Sequence, residues 1–249
     1  MISTLPKWQI QIQGWPSDLE HLALHFTMPP IRVARDEQNG GFIYESSAFS
    51  DCATSQEVLH VAEQELAVLS GVFKTARGAH EPFRSGAVYR QNEAGGRDVF
   101  AHIREGLQVR CEAGEVTMTI TDSQGNVVNK PNPPPRTRLL AQLASSDVAV
   151  AKVMRLCVDK DSESWVGLYR IYEVVEADVG GQKAFASHGW GSINDLKRFK
   201  HSANSVTVAG DAARHGKESE QPPKQPMSLD EAAALIGYLV QAWLAWKGA

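Results

Sequence analysis

NKPNPPP, residues Asn129 to Pro135, is the stretch on which the reading of the fold turns. Consecutive prolines donate no backbone hydrogen bonds and favour an extended polyproline conformation, so neither a helix nor a central strand continues through them. Upstream the apolar residues recur with a period of two; downstream they recur with a period near 3.6. The expected organisation is therefore an α+β domain over residues 1–130 and an all-helical domain over 136–249. The fold class is α+β, an antiparallel sheet with helices followed by a helical bundle.

Upstream, Trp8 to Gln13 alternates Trp-Gln-Ile-Gln-Ile-Gln, the pattern of a half-buried strand ended by Gly14-Trp15-Pro16. Ser17 can cap a short helix running to Phe26. Ile31–Ala34 and Gly41–Glu45 read as strands joined by an Asn39-Gly40-Gly41 turn. From Ser55 to about Thr75, Val58, Leu59, Ala62, Leu66 and Leu69 have helical spacing. Gly86–Arg90, Asp98–Arg104, Leu107–Cys111 and Val116–Thr121 complete the expected sheet.

Downstream, helices are expected over Thr137–Ala144, from an Asp147 cap to Val158, and over Ser164–Ala177. His188-Gly189-Trp190 reads as a turn anchored by an indole. Ser228-Leu229-Asp230-Glu231 is a capping box. It opens a last helix with Ala232, Leu235, Ile236, Leu239, Val240, Trp243 and Trp246 in register. Its apolar face, with two tryptophans, is more than a thin bundle is expected to bury alone, which points to a homodimer.

Composition narrows the class. The 249 residues are 43% hydrophobic and carry a net charge of −4, which gives no overall field for gripping a polyanion. Three widely spaced cysteines, Cys52, Cys111 and Cys157, without a CxxC, fit a reducing, cytoplasmic location rather than a disulfide framework. No apolar run approaches the ~18 residues that span a bilayer, so no membrane partner is expected.

One segment departs from the acidic balance. Asp195 to Lys217 holds five Lys/Arg against two Asp, with His201 and His215. On a helix, Leu196, Phe199, Ala203 and Val206 share a core-facing arc. Arg198, His201 and Ser205 fall opposite, while Lys197, Lys200 and Asn204 take one flank. The helix is expected to falter near Gly210, and a helical turn from Asp211 to His215 to follow, with Gly216 as its cap. Such a segment is most often a solvated polar face; the second Arg–His pair, Arg214-His215, is what raises it to a candidate site.

No GxGxxG, GxxxxGK[ST] or GxSxG motif is present, and no cofactor is implied. Glu57-Val58-Leu59-His60 is a single ExxH without the second motif a di-iron bundle needs, and His21 with His25 lacks a third ligand. No metal is expected.

The Arg…His segment ending in His215-Gly216 before a long amphipathic helix resembles the layout of the HEPN superfamily of bacterial defence and abortive-infection proteins. Many of that family are metal-free endoribonucleases that dimerise so that two Arg/His sets face a shared cleft. Their motif is Arg, then four to six residues, then His, usually with a polar residue such as Asn directly after the Arg. Here Phe199 follows Arg198, only two residues separate it from His201, and Arg214 abuts His215. Arg97 to His102 has the family's spacing but lies in an expected strand.

Two functions follow. The first, favoured by the incomplete motif, is a dimeric binding or sensing module. In it Arg198, Lys197, Lys200, Asn204 and Arg214 hold an anion, with RNA, a nucleotide or a protein as partner. The second, which the resemblance implies, is a metal-independent endoribonuclease of an antiviral defence or toxin system. There His201 or His215 deprotonates a ribose 2′-hydroxyl, Arg198 or Arg214 stabilises the developing charge, and Asn204 orients the phosphate.

Overall fold

Six short segments of alternating polarity form one mixed-length antiparallel sheet. These are β1 (Trp8–Gln13), β2 (Thr27–Met28), β3 (Ile31–Arg35), β4 (Phe42–Ser46), β5 (Arg84–Gln91) and β6 (Arg97–Phe100), in spatial order β2-β3-β4-β1-β5-β6. This computed structural model describes residues 8–78, 81–92, 96–100, 134–214 and 223–248. The strands expected over Leu107–Cys111 and Val116–Thr121, and the end of the one expected over Asp98–Arg104, lie outside them.

Register explains the sheet's apolar face. Ile10 pairs with Tyr44 and Val88, which places those three side chains on one side, all fully buried. Glu65 of α2 (Ser55–Arg77) reaches this face and accepts 2.8 Å bonds from Tyr44 Oη and Ser46 Oγ. The first helix, α1 (Pro16–His25), starts two residues earlier than a Ser17 cap predicts. Trp15 is its N-cap and Pro16 its first residue, a position where the missing N–H costs nothing.

Beyond the prolines all described elements are helical. They are α3 (Arg136–Ser146), α4 (Val148–Cys157), α5 (Trp165–Asp178), α6 (Gln182–Ser187), α7 (Ile193–Asn204), α8 (Val206–Ala209) and α9 (Leu229–Trp246). The caps are those the side chains predict. Asp147 accepts from Ala149 N and Val150 N, Ser164 from Gly167 N, and Ser228 with Glu231 closes a complete capping box.

The chain packs as two units, residues 1–66 with 81–138 and residues 67–80 with 139–249, so the division passes through α2 and the first turn of α3. The second unit takes the end of α2 for a steric reason. A Cβ at Gly71 would lie 2.0 Å from the carbonyl oxygen of Met154, so only glycine admits this approach of α2 to α4. Lys74 pairs with Glu163 at 3.2 Å, and Gln241 of α9 donates to Thr75 O at 3.1 Å.

Trp243 does not remain at the surface. It is fully buried, and its Nε1 donates to Asp178 Oδ2 at 2.8 Å. The aromatic surface expected of this helix is thereby reduced to Tyr238 and Trp246, 55% and 51% exposed. No helix among the described residues is long and apolar enough to cross a membrane.

Candidate functional site

Helix α7 forms because Ser192 caps it, accepting from Asp195 N at 3.0 Å, and because its apolar residues have helical spacing. Leu196, Phe199 and Ala203 are fully buried, as their shared arc predicts, whereas Val206, expected on the same arc, is only half-buried because α7 ends before it. Phe199 sits among the rings of α5, stacked on Tyr169 at 5.7 Å and edge-on to Tyr172 at 5.6 Å. This aromatic seam fixes which flank of α7 faces α5.

Arg198 and Lys200 leave α7 on different flanks. Arg198 Nε donates to Gln225 O at 3.0 Å, and its Nη2 to Pro226 O at 2.8 Å and to both carboxylate oxygens of Glu231 at 3.0 and 3.1 Å. On the same side, Met227 N donates to buried Ser202 Oγ at 2.8 Å. The guanidinium therefore clamps the strand of chain that leads into α9. Glu231 is held below the usual carboxylate range first by the Ser228 N–H and next by Arg198.

The other flank faces α5. Lys200 lies 3.7 Å from Glu176 and over the Tyr172 ring, while Arg214 bonds Glu173 at 2.7 Å and stacks on Tyr169 at 4.2 Å. Arg214 gets there because the chain doubles back after α8, so that Arg214 N donates to Ala203 O at 2.9 Å. Tyr172 donates to Glu176 at 2.7 Å, and burial, then that carboxylate, raises its phenol above the ordinary range.

Lys197 is exposed, His201 is half-buried, and the half-buried Asn204 has an Oδ1 that accepts no bond among the described residues. The structure thus brings Lys200 and Arg214 to the α5-facing flank, with Asn204 next to the Ala203 carbonyl that Arg214 N bonds, and separates Arg198 from them.

Two local expectations need correction. Ser205 is buried rather than opposite the core, because α7 ends at Asn204 and helical phase no longer applies to it. The helical turn expected from Asp211 to His215 is only a 3-10 turn over Gly210–Ala212, since Ala213 is already extended at φ −62°, ψ 142°. His215 and Gly216 lie outside the described residues.

The residues missed from sequence are the carboxylates. Glu173 and Glu176 fall off the apolar face of α5, a visible signal that they meet a neighbour or solvent. Glu231 was legible as a cap but not as the partner of Arg198. Among the described residues no cluster of His, Cys, Asp and Glu could hold a metal, and Glu57 instead accepts from Ala53 N at 2.7 Å before α2. Set against protein-family models, curated proteins and solved structures, the chain matches none of them.

Proposed function

We propose that the chain is a cytoplasmic binding module that takes an anion, such as a nucleotide or RNA phosphate, on the α5-facing flank of α7. The observation that carries this reading is the parting of the two arginines. Arg198 holds Gln225, Pro226 and Glu231, whereas Arg214 and Lys200 face α5. The Arg214–Glu173 pair is open to solvent, where ion pairs contribute only about 0–1 kcal/mol, and the half-buried Lys200–Glu176 pair is long, at 3.7 Å. A phosphate can therefore compete for both cations, with Asn204 and Lys197 beside them. The partner copy of a homodimer would meet the exposed Tyr238 and Trp246 of α9, and light scattering at tens of micromolar tests that part.

The test is titration of the full chain with a short single-stranded RNA and, separately, with AMP. Binding that weakens with salt and is lost in Lys200→Ala and Arg214→Ala supports the reading. No binding, or binding that ignores both substitutions, overturns it. The ribonuclease reading of the HEPN-like layout draws on one feature, the doubling back that carries Arg214 to the end of α7. It requires RNA cleavage in the presence of chelator, abolished by His201→Ala or His215→Ala.

A further inference from the structure

The face of the sheet opposite Ile10, Tyr44 and Val88 is polar, yet its centre is buried. Gln9 of β1 and Glu45 of β4 are 3% and 4% exposed, where the middle of a sheet ordinarily holds aliphatic residues. Gln9 Nε2 donates to Glu45 Oε1 at 2.5 Å, and Arg32 Nη1 donates to Glu45 Oε2 at 2.7 Å. Burying such a network confers little stability over packed aliphatic side chains of equal volume. It does hold Gln9 and Arg32 rigidly. The Oε1 of Gln9 is buried as well and accepts no hydrogen bond among the described residues. A buried orphan acceptor is uncommon and calls for a donor.

Gln9 and Arg32 line a cleft of about 770 Å³ on this face, within the range of roughly 300–1,000 Å³ usual for small-molecule sites. Its floor is aliphatic, from Ala34 and Ile43, and Leu24 of α1 stands 71% exposed at its wall. The far side is closed by the cross-strand pair Gln91 and Arg97.

We propose that this cleft binds a small, neutral, hydroxyl-rich molecule of the saccharide class. The charge pattern selects it. Each arginine in the walls already faces a carboxylate of the protein: Arg32 faces Glu45, Arg35 faces Glu20, and Arg97 faces Asp36. Glu37 adds a further carboxylate. An anion would meet these acids, and a cation would meet the guanidiniums. A hydroxyl suits both, because it donates and accepts at once. It can donate to Glu37 and, once the side chains over the buried Oε1 part, to Gln9, and it can accept from a guanidinium, whose five N–H groups exceed what one carboxylate takes up. The aliphatic floor fits the C–H face of a sugar ring. The site lies in the sheet unit and does not depend on the anion patch of α7.

The test is saturation-transfer NMR on the full chain with glucose, galactose, mannose, ribose, N-acetylglucosamine and trehalose, and with AMP and lysine as charged comparators. At least one neutral sugar should receive saturation, and its affinity should fall about fivefold or more in Gln9→Met, one hydrogen bond's worth. Ala34→Trp, which fills the floor, should abolish it. Gln91→Ala, at the rim, keeps the test decisive should Gln9→Met fail to fold, and it should weaken binding as well. The proposal is overturned if none of the sugars binds. It is equally overturned if sugar binding survives Ala34→Trp, or if AMP or lysine alone shows Ala34→Trp-sensitive binding.

Discussion

Arg198 grips Glu231 across 33 residues of sequence, with Nη2 3.0 and 3.1 Å from the two carboxylate oxygens. The same guanidinium also takes two backbone carbonyls, at Gln225 and Pro226. A flat fork that meets three acceptors at once is a job for arginine and not for lysine.

Arg198→Ala is therefore expected to lower stability by about 1–2 kcal/mol, read as a shift of the thermal midpoint, and Arg198→Lys should restore little of it. Anion binding at Lys200 and Arg214 should be unchanged. If Arg198→Ala instead leaves the midpoint untouched and removes binding or cleavage, the clamp is not its role.

How much of this was legible follows from the range of each interaction. The caps at Asp147, Ser164 and Ser228 depend on atoms two or three residues away, so sequence predicts them directly. The core face of α7 is likewise local periodicity, and Leu196, Phe199 and Ala203 lie where it says. Arg198 looked like a solvent-facing cation because its acceptors arrive only after the chain returns at Gln225. Gln9 misled in the other direction. Alternation reads it as the wet side of a strand, but Glu45 of the neighbouring strand accepts from its amide, and Arg32, one strand further, holds that carboxylate. Gly71 gave no signal at all, since a glycine within a helical pattern says nothing about the backbone of α4 beside it.

Glu65 carries a pH signature of its own. Burial raises its carboxyl above the ordinary range, although the hydroxyls of Ser46 and Tyr44 pull the other way. An acid with a raised folded pKa binds protons more tightly when folded, so stability declines as pH rises from about the unfolded value of 4.5 through the folded pKa. Glu65→Gln should match the native chain in acid and exceed it at neutral pH. A constant offset between the two chains across that window would refute the assignment.

Lys247 ties three helix ends together. Its Nζ bonds Asp147, the cap of α4, and lies 2.8 and 2.9 Å from the carboxylate oxygens of Asp178 at the end of α5. Burial lowers the ammonium's affinity for its proton, but hydrogen bonds to Asp147 and Asp178 outweigh it and raise the pKa. For Asp147, burial raises the carboxyl, and bonds from Lys247, Val150 and Ala149 bring it below the ordinary range. The lysine's share of stability is thus complete below about 10.5 and lost as pH rises through its folded pKa. The aspartate's share is present above 3.8 and lost as pH falls through its folded pKa. Lys247→Met should cost about 1–2 kcal/mol at neutral pH, after allowing for solvent screening, and should flatten the alkaline limb. Chemical denaturation at several pH values checks both.

Two helical glycines should respond to alanine with opposite signs. In general alanine is favoured over glycine in a helix by roughly 0.5–1 kcal/mol, because glycine loses more backbone freedom on folding. Gly237, in the middle of α9, has among the described residues no atom beyond its own stretch of helix within 4 Å of where a Cβ would stand, so Gly237→Ala should gain about that amount. At Gly71 the new Cβ would lie 2.0 Å from Met154 O and 2.4 Å from Met154 C. Those are backbone atoms of α4, which no rotamer change can move aside. The two helices must separate, and the packing around fully buried Val72, Val150 and Met154 opens with them. Gly71→Ala should therefore cost about 2–3 kcal/mol net of the propensity gain, or prevent folding of the helical unit altogether. Gly71→Ala that unfolds at or above the native midpoint would mean that α2 does not approach α4 this closely.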